Sequence, residues 1–172
     1  MAKRKKRKRT KRTKKKIRYE FAPDLQFKAE EISKRLFPHV RVSNIKCLRS
    51  YNSSSKRTIA RCHTLGKVMQ LTIGTSAWYG IEFISERFDK MSEQDQLKTI
   101  IHELMHIPKT FGGGFQHHDY VCEKNVDKMY NNYIQNKERE NSFKNNSPIK
   151  NLEPEKKKGN KNKYYWKELF KN

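Results

Sequence analysis

Hydrophobic residues along the chain fall into short runs whose spacing changes from one run to the next. After Pro23, Leu25, Ala29, Ile32 and Leu36 recur every three or four positions, which lines up one face of an α-helix. Pro38 stops that helix, because proline lacks an amide hydrogen and pushes the residue before it out of helical backbone. Val40, Val42 and residues 45–48 cluster or alternate as strand material, and residues 58–62 do the same. The polar stretch 51–56 between them predicts a hairpin tip, with Cys47 and Cys62 facing each other across the pair. Residues 68–73 predict a third strand and residues 80–85 a fourth.

Helical spacing then returns at Leu97, Ile100, Ile101, Leu104 and Met105. Ser92 precedes this run as an N-cap, and Asp95, three residues later, resembles the acidic partner of a capping box. Pro108 ends the helix, and Gly112-Gly113-Gly114 permits a sharp return of the chain. A second helix is expected from about Asp119, with Cys122, Val126, Met129, Tyr130 and Tyr133 on one side. Strands followed by paired helices predict an α+β domain, a short mixed or antiparallel sheet packed on helices.

Charge divides the chain into three parts. Residues 1–19 hold thirteen Lys or Arg and no acid, residues 20–135 have a net charge of +3, and residues 136–172 have a net charge of +6, within a total of +22. The basicity therefore lies in two arms, expected to be disordered, around a nearly neutral folded domain of residues 20–135. Polycationic arms bind polyanions, and nucleic acid is the expected partner, with a solubilising tail or a localisation address as the alternatives. Lys3, Arg4, Lys5, Lys6, Arg7, Lys8 and Arg9 are the candidate contacts in the arm; Arg49, Arg57 and Arg61 are candidates on the hairpin. No apolar run follows the basic start, and none approaches the roughly 20 residues of a membrane span. With three cysteines in no ribbon or scaffold spacing, a reduced cytoplasmic or nucleoid-associated setting without membrane contact is expected.

Residues 102–106 read His-Glu-Leu-Met-His. Two histidines four apart lie on one helix face, one turn above each other, so both imidazoles can reach one ion. Glu103 beside them suits a general base acting on a water activated by the metal. A catalytic zinc takes three protein ligands and leaves one position open. The glycine return brings His117, His118 and Asp119 back towards the helix. His118 is the leading third ligand, with His117, Asp119 and Glu123 as alternatives. Asp119 has a second possible use, accepting the free N–H of a ligand histidine. A second metal site at Cys62-His63 lacks further partners.

The run from Ile101 to Asp119, Ile-His-Glu-Leu-Met-His-Ile-Pro-Lys-Thr-Phe-Gly-Gly-Gly-Phe-Gln-His-His-Asp, resembles the signature of metallopeptidases of archaea and phages. Arg49-Ser50, residues 55–63 and residues 81–89 match as well, so the resemblance covers roughly residues 24–134. It implies a zincin-type fold with one Zn2+ held by His102, His106 and His118, and with Glu103 as the catalytic acid and base. More distantly the chain is similar to SprT-like proteases that act on proteins attached to DNA, although it lacks the Cys-x-x-Cys of the zinc ribbon that those proteins often carry.

The expected function is thus a zinc-dependent peptidase acting on a protein or peptide and brought to nucleic acid by its arms. The alternative is a non-catalytic nucleic-acid-binding protein with a structural zinc. Residues 81–84 are the strand expected to pair with an extended substrate, and Tyr79, Tyr120 and Tyr130 are the candidates for oxyanion stabilisation. Near the end of the chain, Tyr164, Tyr165, Trp166, Leu169 and Phe170 form an aromatic cluster that predicts a protein partner or a docking site on the domain. Trp166, Leu169 and Phe170 loosely imitate a sliding-clamp-binding box, with Lys163 where glutamine is usual.

Overall fold

Residues 15–146 are described by the computed structural model of the protein. Arg18–Phe21 forms β1, Pro23–Leu36 α1, Ile45–Tyr51 β2, Ala60–Thr64 β3, Lys67–Ile73 α2, Tyr79–Ile84 β4, Ser85–Phe88 α3, Glu93–Met105 α4 and Glu123–Asn146 α5. The strands build one mixed sheet in the order β1-β2-β4-β3, in which β2 and β4 run parallel and the two outer pairs antiparallel. This is the expected α+β class.

Residues in register point to the same side of a sheet. Ile45 and Cys47 of β2, Tyr79, Ile81 and Phe83 of β4, and Ala60 and Cys62 of β3 therefore share one face. α1 and α4 cover that face with Leu25, Ala29 and Ile32 and with Ile100, Ile101 and Leu104, all buried. Removing this apolar area from water is the main force holding the α4 scaffold against the sheet.

Three expectations about the elements are corrected. First, β2 and β3 do not form a hairpin, because β4 lies between them. Cys47 and Cys62 are each in register with Ile81 from opposite sides, two strand spacings or about 9–10 Å apart. Both are free, and burial pushes the Cys47 thiol up to about 12 and raises that of Cys62. The connection after β2 crosses the end of β4 instead of turning back. Arg87 of α3 donates to the Thr58 carbonyl at 2.6 Å and to that of Ser55, and the Asn52 N–H donates to Glu86.

Second, the run 68–73 is the helix α2, entered from Gly66 and closed by Gly74 in the left-handed conformation (φ 72°). Its apolar residues do not face the core: Val68, Met69, Leu71 and Ile73 are exposed, and Gln70 is its only buried residue. Third, α5 starts at Glu123 and not near Asp119, and it runs to Asn146, past the change of composition at residue 135. α1 holds α5 on both sides of that boundary: the Tyr133 hydroxyl donates to Glu31 at 3.1 Å before it, and Arg35 pairs with Glu140 at 2.7 Å beyond it. Among the described residues no helix is long and apolar enough to cross a membrane.

Arg49, expected as a phosphate contact, is bound into the fold. Its two terminal nitrogens donate to both carboxylate oxygens of Asp24 at 2.6 and 2.7 Å, and its Nε donates to Asp89 at 3.2 Å. The clamp ties β2 to the start of α1 and to the end of α3. The Asp24 carboxyl lies below its ordinary value, chiefly because of the Arg49 hydrogen bonds acting against burial. A depressed carboxyl stabilises the fold above its unfolded pKa, and that contribution is lost as pH falls through the folded value. Asp24 is more than half exposed, so solvent screens the pair. Arg49→Met should therefore melt only about 2–4 °C below the wild type at pH 7. The gap should close as pH falls below about 4, measured by thermal unfolding across pH.

Candidate metal centre

α4 is capped as expected: the Ser92 Oγ accepts the Asp95 backbone N–H at 3.1 Å and donates to the Asp95 carboxylate at 2.7 Å. With its start fixed and Ile100, Ile101, Leu104 and Met105 buried, the helix turns His102 and His106, half-buried, to one side of the core. Pro108 keeps it from continuing, and the last turn closes through the Ile107 N–H to the Leu104 carbonyl at 3.1 Å.

The following loop brings the chain back. Phe111 (φ 47°) and Gly113 (φ 93°) adopt left-handed backbone, the first held by ring packing on Tyr79 at 5.0 Å. Gly113 donates its N–H to the Tyr79 hydroxyl at 3.0 Å, and that hydroxyl donates to the Gly114 carbonyl at 3.0 Å. Gln116 then locks the return onto the end of α4: its N–H donates to the His106 carbonyl, and its carbonyl accepts from His106 Nδ1, both at 2.8 Å. A carbonyl only accepts, so Nδ1 carries the proton and Nε2 keeps its lone pair. The ring is thus oriented by the Gln116 carbonyl rather than by Asp119.

His118 lies in the turn that follows, where the His117 carbonyl accepts the Tyr120 and Val121 N–H groups. One potential ligand atom from each of His102, His106 and His118 lies within 4.8 Å of the others, and no other such group of three or more occurs among the described residues. His117 lines the same cleft but is not in the set. Burial, and then the neighbouring His106 and His118, lower the His102 pKa to about 4; burial and His118 lower that of His106 against the Gln116 carbonyl. At neutral pH these two imidazoles are uncharged and offer lone pairs. Three imidazoles converging on one point fit a borderline metal such as zinc.

Glu103 is 6% exposed, and burial raises its carboxyl to about 7 against the pull of the Cys62 backbone N–H on β3. β3 is the open edge beside the centre. The Ile84 N–H to Ile59 carbonyl and Leu65 N–H to Trp78 carbonyl bonds assign the odd-numbered residues of β3 to β4. Ala60, Cys62 and Thr64 therefore turn their backbone groups to the free edge. β4, expected as the substrate strand, is paired on both sides and cannot serve. A cleft of about 600 Å³ lies along β3 and is lined by the three histidines, Glu103 and Phe115 among others. A second cavity of about 570 Å³, lined by Ile59, Met91 and Val126 among others, shares His102 and Glu103 with the cleft.

The remaining expected residues separate. The Tyr79 hydroxyl is used by the glycine loop, and neither Tyr120 nor Tyr130 lines the two cavities. Arg61 lines the cleft and pairs with buried Glu82 at 3.5 Å, while Arg57 lines the second cavity. His63 bonds Glu82 at 2.9 Å and alternates in direction with Cys62, so the two adjacent residues do not form a second metal site. Lys3 to Arg9 and the aromatic cluster 164–170 lie outside the described residues. Sequence reasoning missed the Gln116 carbonyl and the β3 edge, since backbone acceptors and strand edges leave no mark in residue type.

A family profile described as putative phage metallopeptidase matches residues 17–133, from β1 through the first half of α5 and including all three histidines and Glu103. No curated protein and no solved structure matches the chain.

Proposed function

We propose that this chain, which belongs to the putative phage metallopeptidase family, is a zinc-dependent peptidase that cleaves an extended segment of protein held along β3, with Glu103 carrying the proton. The observation that supports this most is the convergence of three imidazoles beside a buried carboxylate at an open strand edge. His102, His106 and His118 would hold the ion, whose chemistry when bound is that of a Lewis acid, polarising a carbonyl and lowering the pKa of water. A structural zinc is closed by four protein ligands, whereas the described residues supply three, with the cleft on the open side; this favours catalysis over the alternative of a structural zinc.

The chain's own groups then divide the work. The outward backbone groups of Ala60 and Thr64, with the Cys62 carbonyl, accept an extended peptide as an added strand, while the Cys62 N–H is turned to Glu103 and keeps that carboxyl beside the peptide. The Glu103 carboxyl, raised towards neutrality by burial, takes a proton from the attacking water and returns it to the leaving amine. A cation on the trio would pull that value back down and keep the base ionised.

The basic start of the chain supports recruitment to nucleic acid as the second element of the proposal. The test is proteolysis by the zinc-loaded protein of a protein substrate with and without chelator, with and without duplex DNA. Hydrolysis that chelator abolishes supports a zinc-dependent peptidase; hydrolysis indifferent to chelator overturns the metal dependence, and no hydrolysis by the zinc-loaded protein overturns the peptidase reading. Deleting residues 2–16 should leave zinc content unchanged and flatten the salt dependence of DNA binding, because fewer phosphates are neutralised. An unchanged salt slope would remove the arm from the reading.

A further inference from the structure

We infer that Gln70 is a positioning residue for the metal centre, the latch that sets the glycine loop and through it two of the three histidines. This rests on the proposed zinc reading, and it starts from the inverted pattern of α2. A short helix normally docks through its apolar side, yet in α2 the apolar residues Val68, Met69, Leu71 and Ile73 are exposed and the buried side chain is an amide, 4% exposed. What α2 presents to the fold is therefore hydrogen bonding. The Gln70 Nε2 donates to the Leu65 carbonyl at 2.6 Å and to the Gly112 carbonyl at 3.1 Å, which uses both hydrogens of the amide.

The contact is tight on the loop side. A Cβ on Gly113 would stand 2.2 Å from the Gln70 Nε2 and 2.7 Å from the Leu65 carbonyl oxygen, and its φ of 93° excludes other residues independently. Gly113 is thus pressed against the amide while Tyr79 clamps the loop through its hydroxyl. Three residues on, Gln116 exchanges two hydrogen bonds with His106, and two further on comes His118. The ring orientation of His106 and the position of His118 both depend on this stretch. His102 is placed by α4 alone.

Gln70→Met keeps the length of the side chain and removes both donors. In the metal-free protein, amide exchange at Gly113 and Gln116 should accelerate while the core amides of α4 stay protected. Zinc affinity, by calorimetric titration, should fall about 10-fold, the lower end of the range for losing a hydrogen bond to a metal ligand, because Gln70 reaches the histidines only through the loop. The visible spectrum of the cobalt-substituted protein should change with it. Gly113→Ala attacks the same contact from the other side and should give the same signature, whereas Leu71→Ser on the outward face of α2 should leave affinity and spectrum as in the wild type. Wild-type zinc affinity together with unchanged loop exchange in Gln70→Met overturns the latch and leaves the peptidase reading standing. A wild-type protein that binds no zinc overturns the proposed function, and the metal-free exchange then decides the latch by itself.

Discussion

Glu103→Gln should bind metal as the wild type does and lose activity by about 10²–10⁴-fold in kcat, the range for removal of a general acid and base. The proposed ligand atoms belong to His102, His106 and His118, so the substitution leaves that trio untouched. Glutamine has the shape of glutamate and fits the buried site beside β3, but its amide cannot take a proton. The measurement is metal analysis alongside turnover on one preparation, and retained turnover at full occupancy would remove Glu103 from the mechanism. Metal-free stability offers an independent check. A carboxyl raised by burial to about 7 in the fold costs stability as pH rises from its unfolded value, because the folded state binds the proton more tightly. Glu103→Gln should therefore be more stable than the wild type at pH 8 without metal, and the difference should vanish below about pH 4.

The second large effect separates adjacent histidines. His118→Ala should lose most of its metal in equilibrium dialysis, an affinity loss on the order of 10²-fold or more, beyond that of an outer-shell change. His117→Ala should retain it, because its side chain lines the cleft without joining the convergent set. α5 begins only at Glu123, so His118 is aimed by the Gln116–His106 hydrogen bonds and by the turn closed on the His117 carbonyl. Metal loss in His117→Ala together with retention in His118→Ala would exchange the two assignments.

Both predictions depend on a centre that was largely legible before any fold was known. His102, Glu103 and His106 lie within two helical turns of one another, and the cap at Ser92 and the stop at Pro108 are equally local. Such features depend on 3.6-residue periodicity and on the chemistry of single residues, which sequence spacing records directly. The turn at Gly112–Gly114 was legible for the same reason, since left-handed backbone selects glycine.

The run 68–73 shows where that kind of reading stops. Its β-branched and apolar residues match a strand, but in the fold it is a helix with its apolar side out and an amide in, because the Gln70 hydrogen bonds to Leu65 and Gly112 outweigh local preference. Alternation likewise marked β3 and β4 as strands without revealing that β4 inserts beside β2, or that the free edge belongs to β3. The sequence by itself thus determined the helix that carries His102, Glu103 and His106, the place where that helix ends, and the separation in charge of a basic start from a nearly neutral stretch. Only the tertiary structure decided which strand edge opens on the candidate centre and what holds the returning loop in place. Those choices are made by contacts between segments tens of residues apart, whose free energy depends on long-range packing and backbone hydrogen bonds rather than on any periodicity along the chain.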